Sequence, residues 1–162
     1  MLKSRKVQPQ VGVTKELKMD CDLLHSTRPH LYMGIVGTLV LQSGSSFRLA
    51  PFAREFISHV QPHFRMRFLT KLSAVASKEV CQLLDTEIAF TEFRAGLGKV
   101  SGIDFSTPFI WIDDSPTSRD LMRLAEERCS SQLVTVNGKD GVTRPTLNKL
   151  EVLLERLMAQ RI

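Results

Sequence analysis

The densest chemistry in the chain is the pair Asp113-Asp114, which closes the apolar run Pro108-Phe109-Ile110-Trp111-Ile112. Adjacent carboxylates repel, and a buried one needs a partner. Capping of a following helix by Asp114 or Ser115 accounts for only part of this. Thr70 ends a second apolar run, Met66-Arg67-Phe68-Leu69, and Lys99 precedes the third. Taken alone, Thr70 reads equally as an ordinary strand residue and Lys99 as a solvated loop lysine. His25, His30, His59 and His63 show no paired ligand spacing, with His59 and His63 expected at a helix end. Cys21, Cys81 and Cys129 form no metal-spacing motif.

The element that must organise these residues is Leu31-Tyr32-Met33-Gly34-Ile35-Val36-Gly37-Thr38-Leu39-Val40, an uncharged, mostly apolar run. It reads as a strand buried on both faces, the central strand of a parallel sheet. A ligand site is expected at its C-terminal tip. That tip carries glycine and valine where chemistry would usually need a carboxylate. After a turn-rich stretch at 42–46, a helix is expected from Pro51 with Phe52, Phe56, Ile57 and Val60 on one face. Strand 66–70 then precedes a helix burying Val75, Val80, Leu83 and Leu84. A short strand lies near Ile88-Ala89-Phe90, and Gly96-Leu97-Gly98 breaks any helix. The Asp113-Asp114 strand leads to a helix capped by Ser115 or Thr117, with Leu121, Leu124 and Ala125 inward. A strand at Leu133–Val136 and a final helix from about Pro145, with Leu147, Leu150, Leu153, Leu154 and Leu157 on one stripe, complete the chain. Strands alternating with helices imply βαβ units and a parallel sheet. Trp111 is expected in the core.

The 162 residues suffice for one domain with a real core; 43% are hydrophobic and 24% charged. No apolar run is long enough to span a bilayer, and the basic start Met1-Leu2-Lys3-Ser4-Arg5-Lys6 is not followed by a signal-type apolar region. An odd number of dispersed cysteines suggests a reducing, cytoplasmic setting. The net charge of +5 permits an anionic partner, nucleic acid included. The expected organisation is an N-terminal tail or peripheral element over 1–28 and one domain over 29–162.

The three strand ends, Gly34-Ile35-Val36-Gly37-Thr38, Phe68-Leu69-Thr70 and Phe109-Ile110-Trp111-Ile112-Asp113-Asp114 preceded by Lys99, resemble in order and spacing the haloacid dehalogenase (HAD) superfamily of phosphohydrolases. That family has an Asp-x-Asp-Gly-Thr strand end, a Ser/Thr strand end, a Lys and an Asp-Asp strand end. The Trp-Ile-Asp-Asp signature and compact size also resemble small HAD domains associated with RNA-repair proteins. The resemblance implies a three-layer α/β sandwich around a central parallel sheet, Rossmann-like, with no room for a cap domain and therefore an open site. It implies that Thr38, Thr70 and Lys99 hold phosphoryl oxygens and that Asp113 and Asp114 hold Mg2+.

The positions of the nucleophile and the acid/base, however, are taken by Gly34 and Val36. Losing an acid/base costs ~10²–10⁴ in rate, and losing the nucleophile closes the covalent route. Mg2+ affinity should fall with the lost carboxylates. The expected function is therefore a degenerate HAD-like domain that binds a phosphate-bearing macromolecule, nucleic acid or protein. The alternative is a metal-dependent phosphohydrolase with altered, non-covalent chemistry.

Overall fold

The computed structural model describes residues 28–160. The expected N-terminal tail, Arg28 apart, lies outside the described residues. Five strands form one parallel sheet: β1 (His30–Met33), β4 (Arg65–Phe68), β5 (Ala89–Phe90), β6 (Phe109–Asp113) and β7 (Leu133–Thr135), in the order β5-β4-β1-β6-β7. β1 is central and buried at every position, as its uncharged sequence requires. The remaining strands, β2 (Val40–Ser43) and β3 (Ser46–Leu49), pair antiparallel as a separate hairpin. The helices are α1 (Ala53–Val60), α2 (Ala74–Leu84), α3 (Ser118–Glu126) and α4 (Arg144–Ala159).

Alternation along the strands divides the core into two layers. Leu31, Met33, Ile110 and Ile112 face α1, α2 and α4 through Phe56, Ile57, Val80, Leu84, Leu147 and Leu150. Tyr32, Phe109 and Trp111 face the other way, onto Leu124 of α3 and Val100 and Ile103 of a short 3-10 segment. The result is a three-layer α/β sandwich. Among the described residues no helix is long and apolar enough to cross a membrane.

Three local expectations need correction, and a fourth gains detail. The opening run is not one strand to Val40. β1 stops at Met33, and the Ile35 carbonyl then accepts from the amides of Thr38, Leu39 and Val40 at 3.2, 2.9 and 3.0 Å, folding the chain into a tight turn with Gly37 at φ 79°. Ile35, Leu39 and Val40 are apolar because the turn itself is buried. The turn-rich stretch after it is the tip of the β2–β3 hairpin, at Gly44. In α2 the inward stripe is Ser77, Val80 and Leu84, and Val75 and Leu83 are exposed. In α3 the inward positions are Asp120 and Leu124, one turn apart, and Leu121 and Ala125 face solvent.

Candidate functional site

Gly34 and Asp113 both continue the side of the sheet that carries Tyr32 and Trp111, because side chains repeat every second residue. They meet at the C-terminal edge. The Gly34 amide donates to the Ile112 carbonyl at 2.9 Å. A Cβ at position 34 would lie 2.7 Å from Asp113 Oδ2 and 3.0 Å from Thr38 Oγ1. There is no room at this position for a side chain while Asp113 stays where it is.

Asp113 stays because three hydrogen bonds from two groups hold it. Lys99 Nζ donates to both carboxylate oxygens at 2.8 Å, and the Ser115 amide donates to Oδ1 at 3.0 Å. The carboxylate has no solvent exposure, and the Lys99 side chain is 16% exposed. An ammonium has three N–H donors, so one remains for the cleft. The partner that a buried aspartate at the end of β6 requires is Lys99.

Lys99 is placed by a residue that the sequence reading passed over. It opens the 3-10 turn Lys99–Gly102, entered through Gly98 at φ 82°. The next amide, Val100 N–H, donates to Asp120 Oδ1 at 2.9 Å. Asp120 Oδ2 accepts from the amide and hydroxyl of Thr117 at 2.8 and 2.7 Å. Asp120 is fully buried, and a Cβ at Gly98 would collide with its Oδ1. One carboxylate thus caps α3 and pins the turn that aims Lys99. The Thr117-x-x-Asp120 spacing resembles a capping box and was the available signal.

The other expected site residues are spread around this pair. Thr70 is half-buried; its Oγ1 accepts from the Leu72 amide at 3.2 Å, which leaves its O–H free to donate. Val36 is half-buried beside it, and Thr38 is fully buried with its hydroxyl unpartnered. Asp114 is half-buried between Gly37 and Gly138, where a Cβ at either position would collide with its carboxylate; its Oδ1 accepts from the Ser115 hydroxyl at 3.2 Å. An open cleft of about 1230 Å³ is lined by Val36, Thr70, Lys71, Lys99, Asp114 and Arg119, among others. Gly34, Thr38 and Asp113 do not line it. Lys71 and Arg119 are cleft cations that the sequence reading did not single out. No cap domain covers the cleft among the described residues: 40–49 is the β2–β3 hairpin, and 74–98 holds α2, β5 and a loop.

Mg2+ seeks near-octahedral oxygen coordination. Both oxygens of Asp113 are committed to an ammonium, and Asp114 is the one carboxylate of the pair left facing the cleft. Among the described residues no group of three or more His, Cys, Asp or Glu side chains is placed to hold a metal. As arranged, the donor set does not fit a divalent ion. The displaced His30 pKa lies elsewhere, at the start of β1. Burial, followed by the nearby Arg65 and Arg67, holds it below the ordinary value.

No protein-family model matches the sequence, and no curated protein is significantly similar to it. Among solved structures, the chain is similar to the HAD domain of effector protein Lem4 from Legionella pneumophila, with a TM-score of 0.52 and 13% identity over 81% of this chain and 94% of that one. A hypothetical protein from Xanthomonas campestris aligns with a TM-score of 0.49 and 12% identity, covering 91% of this chain and 96% of that one. The first likeness, with the parallel five-stranded sheet, makes the fold HAD-like.

Proposed function

We propose that this HAD-like domain acts by binding a phosphate-bearing ligand and does not form an aspartyl-phosphate. The observation that carries this reading is the packing at Gly34. The position of a nucleophilic carboxylate is filled by the contact between backbone and Asp113, and Val36 supplies no proton-carrying group beside it. What remains in reach of the cleft suits an anion: the spare Lys99 N–H, the Thr70 hydroxyl, and the side chains of Lys71 and Arg119. Because Lys99 already balances Asp113, binding in this reading needs no Mg2+. The open cleft favours a phosphate carried on a macromolecule over a small metabolite, which would need enclosure.

The test is a titration with inorganic phosphate, followed at the backbone amides of Thr70, Lys71 and Lys99 by NMR, with and without EDTA. A phosphatase assay with Mg2+ over a broad panel of phosphomonoesters runs beside it. The expected result is saturable amide shifts indifferent to EDTA, and no turnover. Turnover abolished by Asp113→Asn would overturn the proposal in favour of metal-dependent hydrolysis. Phosphate binding that requires Mg2+ would overturn its metal-independent part.

A further inference from the structure

A second groove meets the phosphate cleft at Arg119. This groove, of about 850 Å³, runs between the 94–105 segment and α3 and is lined by Arg94, Leu97, Phe105, Arg119, Met122 and Arg123, among others. Arg119 lines both hollows. Leu97 and Met122, from different elements, are 48% and 65% exposed there. Among the described residues Arg94 and Arg119 make no ion pair, whereas Arg123 is engaged by Glu126 and Glu127.

We infer that the two hollows together take a phosphorylated, acidic polypeptide. The inference rests on the phosphate reading above. The phosphoryl group occupies the cleft of Thr70, Lys99 and Arg119, and an apolar side chain near the phosphorylated residue lies across Leu97 and Met122. Arg94 and Arg119, lacking carboxylates of their own, favour acidic flanking residues by charge complementarity. Nucleic acid fits less well. Base stacking needs a free aromatic face; of the two rings lining the hollows, Phe93 packs against the Tyr32 and Trp111 layer of the core, and Phe105 has the Arg123 guanidinium 5.6 Å over it and packs against Phe109 at 5.6 Å. The free apolar contacts are an aliphatic chain and a thioether, which accommodate varied aliphatic side chains.

The test uses the full chain and fluorescein-labelled phosphoserine peptides in an Asp/Gly background. Leucine is placed in turn at each of the four positions on either side, with an all-glycine control. Fluorescence polarisation is expected to show one or two positions at which leucine tightens binding about tenfold, the gain from burying such a side chain. The exposed-site double variant Leu97→Ser/Met122→Ser should erase that preference while leaving the inorganic-phosphate shift at Thr70 unchanged. Arg119→Ala should weaken both. Equal affinity for all leucine placements, or a preference that survives Leu97→Ser/Met122→Ser, overturns the groove assignment while the phosphate shift at Thr70 stands. A leucine preference indifferent to phosphorylation, with no shift at Thr70, instead overturns the phosphate reading on which this inference rests. Tighter binding of an oligouridylate that displaces the peptides overturns the polypeptide assignment.

Discussion

Lys99→Met removes the partly exposed partner of an ion pair whose carboxylate is fully buried and nearly preserves the volume of the aliphatic stem. Asp113, with no solvent exposure, then loses two hydrogen bonds of 2.8 Å and keeps only the Ser115 amide at 3.0 Å. Breaking a buried pair from one side costs about 3–5 kcal/mol, because the remaining charge stays buried without compensation. The surviving amide bond places the expected loss at about 3–4 kcal/mol, the lower part of that range. At about 2–4 °C per kcal/mol for a chain of this size, Tm should fall by about 6–16 °C. Trp111 is the only tryptophan, is fully buried and stands two residues before Asp113 on β6, so urea unfolding followed by its fluorescence reports on this site. Asp113→Asn introduced into the Lys99→Met background removes the stranded charge and should recover at least half of the loss. A cost for Lys99→Met below about 1 kcal/mol, the value of an exposed pair, would refute the reasoning. So would a double variant no more stable than the single one.

Gly34→Ala should cost about 1–3 kcal/mol by overpacking, since its Cβ meets an Asp113 carboxylate that Lys99 prevents from moving; unchanged urea stability would contradict this. Asp120→Ala strips two backbone amides of their buried acceptor and should cost about 2–4 kcal/mol; amide exchange should accelerate at Val100 and Thr117 and leave β1 protected. His30 should make stability fall on acidification. Its folded pKa lies below the unfolded value of 6.5, with Arg65, Arg67 and Asp104 as its charged neighbours. Between those two values the unfolded chain binds the extra proton, so stability rises with pH through that window and levels off above it. Urea titrations at several pH values should show this slope flatten in His30→Gln.

The sequence announced its strand ends because polar residues terminate apolar runs there. Thr70, Asp113 and Asp114 stand out this way, Lys99 only through its place in the family-like order of strand ends, and the central place of β1 followed from its lack of charge. The pairing of Lys99 with Asp113 was not legible, since it joins residues 14 apart through a turn whose placement depends on Asp120. Asp120 itself was missed because an aspartate on the inward face of a helix looks like a surface residue to any hydrophobic pattern. The same pattern overvalued Val75, Leu83, Leu121 and Ala125, which sit beside the inward stripes of short helices and face solvent. Ile35, Leu39 and Val40 misled in the opposite sense. They are buried, as strand residues would be, but they line a turn closed by the Ile35 carbonyl.

The missing side chain at position 34 and the poor fit to a divalent ion are one physical change. With carboxylates at 34 and 36 as well as 113 and 114, four acidic groups would crowd around one ammonium, and only a divalent cation would hold them together. With glycine and valine, a single buried carboxylate remains to be balanced, and Lys99 does that alone. The double variant Gly34→Asp/Val36→Asp should therefore be less stable than the natural chain without divalent ions, because the new side chain at 34 must push Asp113 from its 2.8 Å bonds. Mg2+ should then recover stability by binding the folded state alone, by about 2.7 kcal/mol at a hundredfold excess over Kd. By the same size scaling this is a rise in Tm of about 5–11 °C, against no shift for the natural chain. Thermal unfolding with Mg2+ and with EDTA measures both. A double variant whose Tm ignores Mg2+ would show that the cradle around Asp113 has lost more than its two reacting groups. A natural chain stabilised equally by Mg2+ would show that Lys99 does not exclude the ion.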